Sequence, residues 1–168
     1  MLVGFNIPVF IYFYSHAPAD SGSYALYRDG ALPICVGVAK TLGTWKMDTT
    51  TIIAGLLHDT SEDTDATLDE ITQMFGDDLG NLVDGLTKIG GITYSSRKEK
   101  QAGNFMKMLL SVAQDLRVII IKFADRLHNM ETIKHMPQIK RHRIAVETRD
   151  VYVPLAHRLG MSTVESQL

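Results

Sequence analysis

Apolar positions recur at helical spacing from about residue 36 to the end of the chain, and the breaks between them fall on glycine, proline and acidic cap residues. Val36–Leu42 predicts a short helix closed by Gly43. Asp48 is placed to cap a helix over Thr49–Asp59, whose buried face carries Ile52, Ile53, Leu56 and Leu57. Thr67-Leu-Asp-Glu70 spells a capping box, so a helix is expected over Leu68–Phe75 with Gly76 ending it. Leu79, Leu82, Val83 and Leu86 space another over Asp77–Lys88, closed by Gly90 and Gly91. Ser96–Ala113 predicts a longer amphipathic helix carrying Phe105, Met106, Leu109 and Leu110. Leu116–Asn129 contains a nearly unbroken apolar run, Val118 to Ala124, that would pass for a strand in isolation. Its continuation and its helical neighbours assign it to a buried helix. Pro137 ends that pattern, and Ile139–Leu159 supplies a last helix with a kink or boundary at Pro154. Nothing reads as a sheet and nothing repeats. The expected fold is all-α, a helical bundle.

The N-terminal stretch breaks this regularity. Met1–Tyr14 is the most apolar and aromatic part of the chain. It resembles a signal-peptide core, but no Lys or Arg precedes it, and a buried strand or helix stays open. His16–Gly30 turns small and polar, which reads as loop. The change of character near Pro33–Val36 divides the chain into a divergent or non-native segment, 1–35, and a regular domain, 36–168.

Composition narrows the class. A chain of 168 residues is expected to form one domain with a proper core. A net charge of −2 and a pI near 6.3 give no support for binding a nucleic-acid backbone. No apolar run reaches the roughly 18 residues of a membrane span, so no membrane is expected. The single cysteine, Cys35, excludes a disulfide framework and fits a reducing, cytoplasmic setting.

The candidate chemistry lies in Leu56–Asp65, LLHDTSEDTD. On a helix, His58 and Glu62 are neighbours one turn apart, as are Asp59 and Asp63. Carboxylates held that close repel one another unless a cation sits among them. Imidazole with carboxylate is a ligand set for Mn, Fe or Zn, and a solvated acidic helix end is the plainer alternative. A metal needs ligands from a second element, and Asp125 follows the apolar run of residues 118–124. An unpaired carboxylate there costs several kcal/mol, so either a metal or a partner such as Arg126, Lys122 or Arg117 is expected. Asn129, one turn on, is placed to bond a substrate or to cap the helix; His128 is a solvated or core histidine.

His58-Asp59, Glu62-Asp63 and the run from Lys122 to Met130, KFADRLHNM, together resemble the HD hydrolase domain of the RelA/SpoT homologues. The similarity continues through Leu82–Lys88, Asn104, Met106–Leu110, Arg117 and Pro154–Gly160, covering about Gly37 to Met161. The resemblance implies Mn²⁺-dependent removal of the 3′-pyrophosphate from the guanine-nucleotide alarmones ppGpp and pppGpp. It implies His58, Asp59 and Asp125 as metal ligands, Glu62 and Asp63 as the pair that orients the attacking water and handles protons, and Asn129 and Thr132 as nucleotide contacts. A synthetase domain follows the hydrolase in the long members, so the chain is expected to be either a piece of such a protein or a stand-alone hydrolase.

The match fails upstream of Gly37. The family's first metal-ligand histidine falls on Ile34, which cannot bind a metal. Cys35 is one residue out of register and His16 is too remote, so neither transfers, and the basic Lys/Arg–Ser–Gly segment is not recognisable. A weakened metal site is the consequence. The alternative function is therefore a weak or inactive HD module that binds guanine nucleotide or a partner domain without turnover.

Overall fold

The structure, a computed structural model, describes residues 31–63, 66–88 and 115–168. Among these residues every regular element is helical. In chain order they are α1 (Ala31–Thr44), α2 (Thr49–Leu57), α3 (Thr60–Asp63), α4 (Leu68–Phe75), α5 (Asp77–Lys88) and α6 (Leu116–Thr132). A 3₁₀ turn (Ile133–His135) leads to α7 (Gln138–Glu147), a π turn (Thr148–Tyr152), α8 (Val153–Arg158) and α9 (Ser162–Gln167). The expected helix over Ser96–Ala113, the Gly90-Gly91 stop and the apolar stretch Met1–Tyr14 lie outside the described residues.

The caps fall where local chemistry directs them. Asp48 accepts the Thr51 amide at 3.0 Å to open α2. Thr67 accepts the Glu70 amide at 3.2 Å while Glu70 accepts the Thr67 amide at 2.9 Å, a reciprocal box at the start of α4. Gly76 closes α4 at φ +90°, a conformation that costs an L side chain strain.

Three boundaries differ from the sequence expectation, each for a physical reason. The first helix spans Ala31–Thr44 rather than Val36–Leu42. Pro33 falls in its first turn, where a missing N–H goes unnoticed, and Gly43 does not stop it. A mid-helix glycine costs about 1 kcal/mol, which burial of Cys35, Val38 and Leu42 offsets. The second helix ends at Leu57, leaving His58 and Asp59 in a turn before α3. The last helix is broken ahead of Pro154, which has no N–H to donate; Val153 donates to Thr148 O, five residues back, and the chain takes a π turn.

Helix α6 organises the core because it is buried on two sides. Val118, Ile121 and Ala124 join α1, α2, α4 and α5 in a cluster with Val38, Leu42, Ala54, Leu57, Ile71, Leu79, Leu82, Val83 and Leu86. Ile119, Phe123 and Leu127 face the other way, onto Val151, Tyr152, Leu155, Ala156 and Val164. A helix clad on both flanks reads as a continuous apolar run, which is why its sequence imitates a strand. Lys122, Asp125 and Asn129 share the remaining stripe, one turn apart.

Candidate metal centre

His58 reaches the site because α2 carries it inward at its C-terminal end. Its ring is fully buried, and Nδ1 lies 2.8 Å from Gly55 O, a carbonyl that the helix end leaves free. That contact requires the proton on Nδ1 and leaves Nε2 as a lone-pair donor in the neutral ring. Nε2 is buried and has no hydrogen-bond partner. It nevertheless lies 2.9 Å from Asp59 Oδ2 and 3.8 Å from Asp125 Oδ1. An imidazole nitrogen and a carboxylate oxygen at this separation also match neighbouring ligands on one ion: at bond lengths near 2.1 Å, adjacent donors stand ~3 Å apart.

Charge acts on this group from several sides. Burial pushes the His58 imidazole down, but Asp59, the Cys35 thiol and Asp125 together hold it well above its ordinary value. Burial likewise pushes the Asp59 carboxyl up, and His58 with Lys122 brings it net below the usual range. Asn129 Nδ2 donates to Asp125 Oδ1 at 2.7 Å, which fixes that carboxylate against α6. Thr132 spends its hydroxyl inside the helix, on His128 O at 2.8 Å.

The structure therefore brings together His58, Asp59, Asp125 and Asn129 of the residues expected from sequence. Of the cations expected as partners of Asp125, Arg117 pairs with Asp78 and Asp115, and Arg126 pairs with Glu147 while also sensing the Asp125 charge. Glu62 and Asp63 close α3 directly after the site, but their side chains lie outside the described residues. His128 is a packing residue: it lies so close to Gly37 that a Cβ there would collide with the ring. Cys35, set aside on sequence register, is buried, and its thiol acts on the His58 imidazole. Only the packing of α1 on α2 reveals it.

As a metal site the donor set fits in kind: an imidazole nitrogen, which gives up its proton when an ion binds, and two carboxylates, with hard and borderline character for a first-row divalent ion. It is not drawn closed, for among the described residues no group of three or more His, Cys, Asp and Glu stands gathered around a common point. His58 and Asp59 are at ligand spacing, with Asp125 farther out.

A family model described as the HD domain matches residues 16–162. The chain belongs to the HD-domain family. Its first described helix lies inside that match, and so does the candidate site. Over 134 residues it is 52% identical to a GTP pyrophosphokinase of Myxococcus xanthus, covering 78% of this chain and 18% of that protein. Over 133 residues it is 47% identical to the bifunctional (p)ppGpp synthase/hydrolase SpoT of Escherichia coli, covering 79% of this chain and 19% of that one. The chain thus spans under a fifth of the length of these curated relatives, and its likeness is to the RelA/SpoT kind of HD domain. A solved structure described as a metazoan orthologue of SpoT that hydrolyses ppGpp superposes with a TM-score of 0.58 at 23% identity, covering 84% of this chain and 82% of that one. That likeness supports the all-α HD fold.

Proposed function

We propose that this chain is a Mn²⁺-dependent alarmone hydrolase, converting ppGpp or pppGpp to GDP or GTP and pyrophosphate. The observation that carries it is the buried His58 Nε2, without a hydrogen-bond partner and facing Asp59 at 2.9 Å and Asp125 at 3.8 Å. The names of the relatives, which include a guanosine-3′,5′-bis(diphosphate) 3′-pyrophosphohydrolase of Escherichia coli O157:H7, support the substrate class.

His58, Asp59 and Asp125 would hold the divalent ion, which when bound supplies a water of lowered pKa and neutralises charge at the phosphate. The Gly55 carbonyl fixes the His58 tautomer, so that Nε2 is the ligating atom. Asn129 orients the Asp125 carboxylate and, with Thr132, lies on the flank where the nucleotide would bind. Glu62 and Asp63 take the proton from the attacking water and return one to the ribose 3′-oxygen as its bond to phosphorus breaks. In this reading residues 36–168 are the hydrolase domain and 1–35 a divergent segment whose last residues continue into α1. A synthetase domain belongs to the longer relatives, and the setting is cytoplasmic. Among the described residues no helix is long and apolar enough to cross a membrane.

The test is Mn²⁺-dependent pyrophosphate release from ppGpp, measured for this chain and for Ile34→His side by side. Release by either, lost in Asp125→Asn, is the expected outcome; silence from both overturns the hydrolase reading. A second reading, a module that binds the nucleotide without turnover, is favoured by Ile34, which packs on the core cluster of α1 and α2. Tight ppGpp binding without pyrophosphate release would decide for it.

A further inference from the structure

We infer that Thr87 is a positioning residue for the Glu62–Asp63 pair, acting through the Ser61 hydroxyl and the short helix α3. The inference rests on the hydrolase reading above, in which that pair handles the protons, and it gives a task to a residue that has none there.

Helix α3 does not hold itself. It spans four residues, Thr60–Asp63. A lone helical turn fixes several residues for its first hydrogen bond, so it forms only where contacts outside it hold it. His58 anchors the preceding turn through Gly55 O, and Thr60 is fully buried. Ser61 then reaches a distant element. Its Oγ lies 2.9 Å from Oγ1 of Thr87, 26 residues further on, in the last turn of α5. A count of protons gives this bond a direction. A hydroxyl carries one proton, and Thr87 places its own on Val83 O, 3.0 Å away within α5. The Thr87 oxygen is left to accept, so Ser61 donates.

The acceptor stands on a firm base. A helical threonine has few rotamers, and its bond to the carbonyl one turn back selects one of them. Leu82, Val83 and Leu86 are buried in the core cluster, so α5 does not shift without disturbing the core. Glu62 and Asp63 follow Ser61 directly in the chain. A tie at Ser61 therefore sets the height and rotation of the turn from which the pair departs. Proton transfer needs the base within hydrogen-bond reach of the water, and a misplacement of about 1 Å is enough to cost about 10²-fold in rate. The nucleotide contacts proposed above, Asn129 and Thr132, belong to α6 instead. Losing the Ser61–Thr87 bond therefore shows in turnover rather than in substrate affinity.

Pyrophosphate release from ppGpp is measured at saturating Mn²⁺ in whichever background releases it, this chain or Ile34→His. Thr87→Val keeps the side-chain shape and removes the acceptor; Ser61→Ala removes the donor. Each should lower kcat about tenfold while KM changes by less than about twofold. The double variant should fall no further than the worse single one, because both substitutions remove the same bond. Thr87→Ser, which keeps the hydroxyl, should restore kcat. Amide hydrogen exchange over residues 58–63 should quicken about fivefold in Thr87→Val, the effect of one lost hydrogen bond, with exchange in α6 unchanged. Full turnover in both single variants overturns the inference and leaves the hydrolase standing. So does a raised KM at constant kcat, unchanged exchange over 58–63, or a loss that Thr87→Ser does not restore. Release by neither background overturns the hydrolase reading and this inference with it.

Discussion

Helices α2 and α6 carry a cluster of charge toward each end, and the two clusters are built differently. At the N-terminal end, Arg117 donates to both oxygens of Asp115, at 3.1 Å to Oδ1 and 2.7 Å to Oδ2, and to both of Asp78, at 3.1 and 2.7 Å. Asp48, the cap of α2, feels the same guanidinium. Negative charge there is answered by a cation within the chain, and three helix starts are tied together. Some ten residues on, roughly 15 Å along α2, His58, Asp59 and Asp125 gather without such closure. Lys122 and His58 act on Asp59, and the buried Nε2 stands between the two carboxylates, 2.9 Å from Asp59 and 3.8 Å from Asp125. A polar cluster that satisfies itself holds a fold together, whereas one with a buried donor left open is a place for something to bind.

The largest effect expected is at the open cluster. Asp125→Asn should lower pyrophosphate release by about 10²-fold or more while leaving the thermal midpoint unchanged or raised, because a carboxylate beside Asp59 is removed. A clear loss of stability instead would make the His58 cluster another structural knot and erase the contrast.

Gly37→Ala comes next. Its Cβ would collide with His128, and forcing α1 off α6 should cost about 1–3 kcal/mol in denaturant unfolding and weaken metal binding in the same variant. Unchanged metal affinity would show that α1 is no part of the site.

At the closed cluster, Asp48→Ala should cost about 1 kcal/mol by losing the bonds to Thr51, with no change in metal affinity. The smallest effect is for Arg117→Met, which should cost under about 1 kcal/mol at neutral pH because its partners are partly exposed. Its pH dependence is the sharper measurement. Hydrogen bonds from Arg117 hold the Asp78 and Asp115 carboxyls below their usual range. A folded-state pKa below the unfolded one contributes stability that is present above pH ~4 and is lost as pH falls. The difference between wild type and variant in chemical unfolding should therefore shrink below that pH. A difference that grows there would mean the pairs are not formed.

Much of this is legible in the sequence alone. The Asp48 cap, the Thr67–Glu70 box and the Gly76 stop are contacts between residues a few positions apart, so the helices from Thr49 to Lys88 follow from neighbours in the chain. The all-α fold and the buried character of the segment around Asp125 follow from apolar spacing. His58 and Asp59 announce themselves because two chemical groups fall side by side at the end of an apolar turn.

What the sequence could not determine depends on packing between distant segments. It places Val36–Leu42 in a helix but not the turns on either side, because Gly43 and Pro33 are overruled by the burial of the helix around them. It offers Asp125 a metal, Lys122 or an arginine, and only the folded chain shows Arg117 paired with Asp78 and Asp115 and Arg126 with Glu147. It assigns Ile34 and Cys35 by linear register, while the helix turns Ile34 to the core and Cys35 to His58. Spacing along one helix is local geometry, fixed at 3.6 residues per turn. Which side chain faces another across two helices depends on how their surfaces pack, and that only the tertiary structure decides.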